Sequence, residues 1–171
     1  LGIPESVVEA AQRSILECEH YPDVDCRELK KSLAKKEKID TEYLICGNGA
    51  AELIFAVVQA EKPKKALLLA PGFAEYEQAL RGLGCEVLFY QLKKENNFRY
   101  EKEYKNHLTA ELDMIFLCNP NNPTGLLIPQ EEILEILQIC QKNHTRVVLD
   151  SCFIDFLEEK EDADYTGYLQ E

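Results

Sequence analysis

The chain of 171 residues is poor in positive charge. It has 19 lysines and arginines against 31 aspartates and glutamates, which gives a formal net charge of −12. Nucleic acids and anionic membrane surfaces are bound by basic protein faces, so neither is an expected partner. A single bound anion remains compatible with this charge, because one local loop can hold phosphate in an acidic protein.

Long apolar runs and metal-ligand spacings are also missing. No apolar segment approaches the roughly 20 residues of a membrane-spanning helix, and no signal-peptide pattern precedes the first predicted helix. The three histidines are scattered, and the seven cysteines contain no Cys-x-x-Cys. Most of the cysteines lie in apolar runs, which favours packed thiols in a reduced, cytoplasmic protein over a disulfide framework or a zinc site. We therefore predict a cytoplasmic protein without a metal site.

What the sequence does contain is a regular alternation of strands and helices. Apolar runs of strand length predict strands at residues 43–46, 66–70, 86–90, 114–118 and 146–149. Helices are predicted from residue 4 to about residue 19, from a capping box at 25–28, over 50–60, up to 82, over 101–108, and from 129 onward. This alternation predicts an α/β fold of three layers, with a mostly parallel sheet covered by helices on both faces.

The most informative segment is Cys118–Gly125, with the sequence Cys-Asn-Pro-Asn-Asn-Pro-Thr-Gly. It follows the apolar run Met114–Leu117, and its prolines and asparagines end the strand abruptly. An Asn-Pro pair alone is typical of an ordinary turn. In open α/β sheets, however, loops at the carboxyl ends of strands are where ligands bind.

Three other predicted strands end in groups that a ligand can use. Gly47-Asn48-Gly49 leads directly into a helix, an arrangement that points free backbone N–H groups at one spot, although a tight turn explains a lone Gly-x-Gly as well. Phe73 follows the second strand, where an aromatic ring can stack on a ligand or simply pack in the core. Asp150 ends the last strand, and a buried carboxylate needs a cationic or hydrogen-bonding partner.

The string Asn-Pro-Asn-Asn-Pro-Thr-Gly resembles the signature of the aspartate-aminotransferase-like, pyridoxal-phosphate-dependent enzymes. Over nearly its whole length, the chain is similar to the first half of their histidinol-phosphate aminotransferase and threonine-phosphate decarboxylase branch. The resemblance implies that residues 1–40 are an N-terminal helical segment packing on the large domain. Residues 41–171 would be a partial large domain, with its C-terminal part and the small domain absent. The first residues, Leu1-Gly2-Ile3-Pro4, also suggest a piece of a longer protein.

The resemblance implies which residues hold the cofactor's phosphate and ring face. Gly49, Ala50 and Ala51 match the turn whose amides bind the phosphate of pyridoxal 5′-phosphate. Phe73, within Pro-Gly-Phe-Ala-Glu-Tyr, matches the aromatic residue stacked on the ring. Tyr21, within Tyr-Pro-Asp, matches a tyrosine that reaches the phosphate in the other subunit, which implies a homodimer.

Three further residues match positions around the ring's edge. Asn122 matches the asparagine bonded to the ring's 3-hydroxyl, and Cys152 lies where the family usually has an alanine beneath the ring. Asp150 matches the catalytic aspartate that pairs with the pyridine nitrogen, keeping it protonated so that the ring accepts electrons. The family's Schiff-base lysine is not in this chain, and without that lysine the fragment alone is expected to be inactive.

Within the branch, Tyr21–Leu29 and Phe153–Phe156 look most like the decarboxylases of cobalamin biosynthesis, which act on O-phosphothreonine. Phe153 stands where aminotransferases commonly have a tyrosine, and Ser151 replaces a usual glutamate. A histidinol-phosphate-type aminotransferase and a non-catalytic α/β binding domain remain as alternatives.

The resemblance also predicts three structural features. Asn122–Pro123 should be a cis peptide, as the family's turn usually is. Asp150 should lie on the same edge of the sheet as Asn122 and the Gly49–Ala51 turn. The strand at 43–46 should be missing its partner and stand outside a sheet formed by the other four strands.

Overall fold

Four parallel strands form one sheet in the computed structural model, which describes residues 2–158 and 165. In chain order they are β1 (Lys65–Ala70), β2 (Glu86–Gln91), β3 (Met114–Cys118) and β4 (Arg146–Asp150). Their spatial order is β2-β1-β3-β4, and every neighbouring pair is parallel. The four predicted strands at 66–149 are thereby confirmed to within a residue at either end.

Five α-helices accompany these strands in the described residues: α1 (Glu5–Ser14), α2 (Arg27–Glu37), α3 (Gly49–Glu61), α4 (Ala74–Gly82) and α5 (Gln130–Asn143). Short 3-10 helices cover Ile15–Glu17, Thr41–Tyr43, Lys94–Asn96, Lys102–His107 and Ile154–Phe156. No described helix is both long enough and apolar enough to cross a membrane.

The two faces of the sheet carry separate hydrophobic cores. Alternate side chains of a strand point to opposite faces, so Leu67 and Ile115 belong to one core, and Leu68 and Phe116 to the other. The first core packs against α5 through Ile133, Ile136 and Cys140. The second packs against α3 and α4 through Ile54, Val58, Tyr76 and Leu80. The predicted three-layer α/β arrangement is confirmed.

The chain divides into two compact units, Leu1–Cys46 and Gly47–Glu171. The first unit contains α1 and α2, and none of its described residues is buried. The second unit contains the sheet and both hydrophobic cores. The predicted packing of residues 1–40 on the large domain stays a prediction.

Two local predictions in the first unit are wrong. The expected capping box at Asp25–Glu28 does not form; instead, the Asp23 carboxylate accepts hydrogen bonds from the backbone N–H groups of Asp25 and Arg27, at 3.2 and 3.0 Å. Residues 43–46 do not form a strand, because Thr41–Tyr43 is a 3-10 helix and the following residues pair with no neighbouring strand in the described structure. The sheet does consist of the other four strands, as expected.

Candidate functional site

The carboxyl edge of the sheet gathers the segments that the sequence marked out. Because the strands are parallel, Phe73 after β1, the Asn119–Gly125 loop after β3 and Asp150 at the end of β4 all belong to this edge. Cys118 and Asp150 are direct neighbours in the strand register, and the Asn119 N–H donates to the Asp150 carbonyl at 2.9 Å. The predicted placement of Asp150 beside the loop is confirmed.

The first turn of α3 belongs to the same edge. The last turn of α3 is joined by three residues to the start of β1, and Glu61 in that turn lies 3.3 Å from Arg146 at the start of β4. Because α3 packs on one face of the sheet through Ile54 and Val58 and is about 20 Å long, its first turn lies toward the opposite edge. Gly49, at the start of α3, therefore lies toward the carboxyl ends of the strands.

Asp150 is held in a fixed orientation by two hydrogen-bond donors. The Tyr76 hydroxyl donates to Oδ2 at 2.6 Å, and the Cys152 backbone N–H donates to Oδ1 at 2.9 Å. The residue is half-buried, and each of its two carboxylate oxygens accepts one of these hydrogen bonds. These two donors are the hydrogen-bonding partners that the sequence requires for a carboxylate at the end of an apolar strand.

Tyr76 is a site residue that the sequence reasoning did not assign. Burial, followed by its hydrogen bond to Asp150, raises the pKa of the Tyr76 hydroxyl well above its ordinary value, so it stays a donor. Its ring stacks on Phe116 at a centroid distance of 4.7 Å and meets Phe73 edge to face at 5.5 Å. The sequence did contain a signal that Tyr76 lies near the site. Tyr76 follows Phe73 by three residues at the start of α4, and residues three apart share a helix face.

The Asn119–Gly125 loop uses two of its three asparagines for its own structure. The Asn119 side chain accepts from the Ile128 N–H at 2.8 Å, and the Asn121 amide donates to the Pro71 carbonyl and to Thr124 Oγ1 at 3.3 and 3.0 Å. The Asn122 side chain has no hydrogen-bond partner among the described residues, and so it is the one available to a ligand. The predicted cis peptide at Asn122–Pro123 is confirmed, and Asn119–Pro120 and Ala70–Pro71 are cis as well.

The start of α3 offers open backbone donors. Gly49 has a φ of +81°, and no described atom lies within 4 Å of where its Cβ would stand. Its own N–H donates to the Gly47 carbonyl at 3.0 Å, which leaves the amides of Ala50 and Ala51 without partners inside the helix. The Glu52 carboxylate accepts a hydrogen bond from the Asn48 N–H, so an anion bound here would replace or displace that contact.

Two thiols adjoin Asp150. The ligand atoms of Cys118, Asp150 and Cys152 all lie within 4.8 Å of one another. Desolvation, followed by its hydrogen bond to Asp150, raises the pKa of Cys152 to about 12, and burial raises the pKa of the Cys118 thiol. All seven cysteines of the chain are free, but only Cys85, Cys118 and Cys140 are buried, so the prediction that most thiols are packed is wrong.

Tyr21 lies in the first unit, and its side chain is fully exposed. Its predicted role toward a second subunit stays a prediction. A cavity of about 560 Å³ lies at the amino edge of the sheet, lined among others by Lys64, Asp113 and Arg146. It is far from Asp150 along the strands and belongs to none of the predicted site residues.

The residues at the carboxyl edge fit a phosphorylated pyridine. The open amides at the start of α3 favour an anion, since the helix dipole is positive there. Asp150 offers an oriented carboxylate, Phe73 an aromatic ring next to Tyr76, and Asn122 an amide without a partner among the described residues. These four features correspond to the phosphate, nitrogen, ring face and hydroxyl of such a ligand.

Comparison with known proteins gives matches along the whole chain. A sequence profile of the family described as "Aminotransferase class I and II" matches residues 1–169. The threonine-phosphate decarboxylase of Salmonella typhimurium is 39% identical over 170 residues, which are 99% of this chain and 45% of that protein. The histidinol-phosphate aminotransferase of Ruminiclostridium cellulolyticum is 37% identical over 140 residues, which are 80% of this chain and 38% of that protein.

Solved structures give the same two names. The histidinol-phosphate aminotransferase from Clostridium acetobutylicum has a TM-score of 0.85 at 29% identity, covering 99% of this chain and 49% of that one. The L-threonine-O-3-phosphate decarboxylase from Porphyromonas gingivalis has a TM-score of 0.73 at 32% identity, and the match covers 91% of this chain and 45% of that one. The chain thus spans about half the length of the relatives that it matches.

Proposed function

Because the chain belongs to the class I and II aminotransferase family, we propose that its strand-end site binds pyridoxal 5′-phosphate, the cofactor on which this family depends. We further propose that, in a protein of its relatives' full length, it acts on a phosphorylated amino acid. The observation that carries this proposal is the Asp150 carboxylate, oriented by Tyr76 and Cys152 at the edge where α3 begins.

Each side chain of the site has one task toward the cofactor. The amides of Ala50 and Ala51 bind the phosphate, Phe73 covers one face of the ring, and Asn122 donates to the ring oxygen. Asp150 holds a proton on the pyridine nitrogen, and Tyr76 keeps the carboxylate aimed at it. When bound, the cofactor supplies a protonated ring that accepts electron density from the substrate's α-carbon.

The substrate we propose is O-phosphothreonine, with loss of its carboxyl group as in the threonine-phosphate decarboxylases. The support is the 39% identity to the Salmonella typhimurium enzyme over 99% of this chain. A histidinol-phosphate-type aminotransferase is the second candidate, supported by the TM-score of 0.85 to the Clostridium acetobutylicum enzyme.

Two further features belong to the proposal. The protein works as a homodimer in which Tyr21 serves the neighbouring subunit's cofactor phosphate, and its free, partly exposed thiols suit the reducing cytoplasm.

Titration with pyridoxine 5′-phosphate tests the cofactor site in this chain, because this compound lacks the aldehyde that would react with surface lysines. We expect one binding site from which inorganic phosphate displaces the ligand. Asp150→Asn should weaken binding by about 10-fold, since a charge-assisted hydrogen bond is lost. Glu111→Gln, which removes an exposed carboxylate at the opposite edge of the sheet, is the matched control. Equal affinities of the wild type and Asp150→Asn would contradict the assignment of Asp150.

Product analysis separates the two candidate reactions in a protein of the relatives' full length that contains this chain. Release of carbon dioxide from O-phosphothreonine supports the decarboxylase, and consumption of a keto acid with histidinol phosphate supports the aminotransferase. If neither occurs while pyridoxine 5′-phosphate binds, the fold acts as a non-catalytic binding domain. In the active protein, Asp150→Ala should lower kcat far more than cofactor affinity, because the phosphate contacts are intact.

A further inference from the structure

We propose that Asn121 is a positioning residue for the proposed cofactor site. Its side chain fastens the loop after β3, which carries Asn122, to the turn after β1, which carries Phe73. The inference rests on the proposed function, because that function assigns Asn122 to the edge of the cofactor's ring and Phe73 to its face. It adds the reason why these two residues keep one separation although they belong to different strand ends.

Asn121 is built into its own loop through its backbone. The residue is only 6% exposed. Its N–H donates to the Leu126 carbonyl at 2.9 Å, and its carbonyl accepts from the Gly125 N–H at 2.7 Å. Because both backbone groups are occupied, Asn121 moves with the loop, and Asn122 follows it as the next residue.

The side-chain amide of Asn121 joins this loop to the neighbouring turn. Its nitrogen donates to Thr124 Oγ1 at 3.0 Å within the loop and to the Pro71 carbonyl at 3.3 Å, 50 positions away in the chain. An amide nitrogen carries two hydrogens, so it can make both bonds at once. In the described part of the chain, no other hydrogen bond connects residues 71–73 with residues 119–125.

The turn that accepts this hydrogen bond is compact, so a constraint at Pro71 reaches Phe73. A Cβ at Gly72 would lie 2.4 Å from the backbone oxygen of Leu69, which shows that the turn is folded closely onto the end of β1. Phe73 follows directly, and its ring meets the Tyr76 ring edge to face at 5.5 Å. The bond at Pro71 therefore fixes the place of the Phe73 ring relative to the loop.

Titration with pyridoxine 5′-phosphate and with inorganic phosphate tests this role. Asn121→Ala should weaken binding of pyridoxine 5′-phosphate by about 5-fold, the size of one neutral hydrogen bond, because the ring contacts lose their fixed spacing. It should leave the affinity for inorganic phosphate unchanged, since the amides at the start of α3 belong to neither segment. An unchanged affinity for pyridoxine 5′-phosphate, or an equal loss for both ligands, would overturn the inference. Absence of binding by the wild type would overturn the proposed function, and this inference with it.

Two further variants separate the link between the segments from the loop's own structure. Thr124→Val removes the acceptor inside the loop but leaves the bond to Pro71, so it is the matched control and should change the affinity by less than about 2-fold. Asn121→Asp keeps the side chain's size but places an oxygen opposite the Pro71 carbonyl, so it should weaken binding at least as much as Asn121→Ala. Circular dichroism verifies the fold of each variant. Equal losses in Thr124→Val and Asn121→Ala would overturn the role of the link.

A double-mutant cycle with Phe73→Ala shows whether Asn121 acts through Phe73. A residue that positions the Phe73 ring loses that part of its effect once the ring is removed, so in the Phe73→Ala background Asn121→Ala should weaken binding by only about 2-fold. A merely structural role gives the same loss in both backgrounds. Additive effects of the two substitutions would therefore overturn the positioning role.

Discussion

Tyr76 and Tyr104 are both buried tyrosines, but only one of the two hydroxyl groups has a hydrogen-bond partner in the described structure. Tyr76 donates to Asp150 at 2.6 Å, whereas the Tyr104 hydroxyl, on a fully buried side chain, meets no partner. A buried hydroxyl that is satisfied by a carboxylate stabilises the fold, and one that is left unsatisfied destabilises it. The two residues therefore allow a matched comparison.

Tyr76→Phe should lower the free energy of unfolding by about 2 kcal/mol, because a hydrogen bond to a charged group is lost. Tyr104→Phe should raise the free energy of unfolding by about 1 kcal/mol, because an unsatisfied hydroxyl is removed from the core. Urea unfolding of both variants beside the wild type measures the difference. Equal destabilisation by the two substitutions would contradict the structural distinction.

Glu132 is a buried carboxylate whose charge is balanced by two lysines. It is only 2% exposed, and Lys105 Nζ and Lys102 Nζ lie 2.8 and 3.0 Å from its two oxygens. The hydrogen bonds from Lys105 and then Lys102 hold the pKa of Glu132 below its ordinary value. A lowered folded-state pKa contributes stability above the unfolded value, about 4.3, and this stability is lost as the pH falls through the folded value.

Glu132→Gln should therefore destabilise the protein by about 2 kcal/mol at neutral pH and by much less in acid. Urea midpoints of the two proteins, measured stepwise from about pH 7 to about pH 3, give the dependence, with the difference shrinking below about pH 4.3. Glu103→Gln, an exposed carboxylate on the same 3-10 helix as the two lysines, controls for charge alone. A constant difference across this range would show that the ion pairs do not cause it.

At the scale of elements, the connection from β1 to α4 depends on a glycine without a positive φ. A Cβ at Gly72 would lie 2.4 Å from the backbone oxygen of Leu69, a distance that the chain tolerates only by moving. This connection also carries Phe73 and the Pro71 carbonyl that accepts from Asn121. The tight turn therefore sets the position of two parts of the candidate site at once.

Gly72→Ala should cost about 2 kcal/mol of stability, the usual range for forcing an extra methyl group into a packed site. Gly82→Ala is its matched control, because α4 ends at Gly82 and no described atom lies within 4 Å of the added Cβ. That change should be neutral or stabilising by about 0.5 kcal/mol. Thermal unfolding of the two variants provides the comparison, and a neutral Gly72→Ala would contradict the close approach.

The sequence was sufficient for elements whose cause is local. Met114–Cys118 is predicted to the residue, because its five apolar residues are bounded by a polar residue and a proline-rich loop that end the strand on either side. Residues 43–46 have a similar composition but no strand to pair with in the described structure, and a strand exists only as a pair. The capping box at residue 25 was wrong because Asp23, two residues earlier, accepts the Asp25 N–H that Glu28 would have bound, and it also accepts the Arg27 N–H.

The residues of the candidate site also fall into those that a local sequence pattern predicts and those that only the fold brings together. Asp150 and Asn122 were found because each lies at the carboxyl end of a strand, and parallel strands end at one edge. The glycine turn was found from its Gly-x-Gly pattern before a helix, although the strand predicted before it does not form. The hydrogen bond from Tyr76 to Asp150 joins residues 74 positions apart, and the cluster of Cys118 with Cys152 depends on the register of two strands. Neither contact leaves a local pattern in the chain, so both required the fold.

At the scale of the whole molecule, the two units differ sharply in how they bury apolar surface. The second unit has a core on each face of its sheet, while the described residues of the first unit include no buried side chain. Large apolar side chains such as Val7 and Val8 of α1 and Leu29 of α2 are exposed there. Apolar helix faces of this kind are normally stabilised by burial against another surface, and the proposed homodimer would supply one.

Hydrogen exchange at two protein concentrations should detect this difference. At low concentration, amides of α1 should exchange far faster than those of β3, because opening α1 exposes no buried core. If a second copy covers the first unit, as the proposed homodimer requires, raising the concentration should slow exchange in α1 and leave β3 unchanged. Leu16→Asp, at a side chain that is 82% exposed, should abolish this slowing. Gln12→Asp adds the same charge without removing an apolar group and should retain it. Exchange in α1 that is independent of concentration in the wild type would contradict a homodimer formed through this unit.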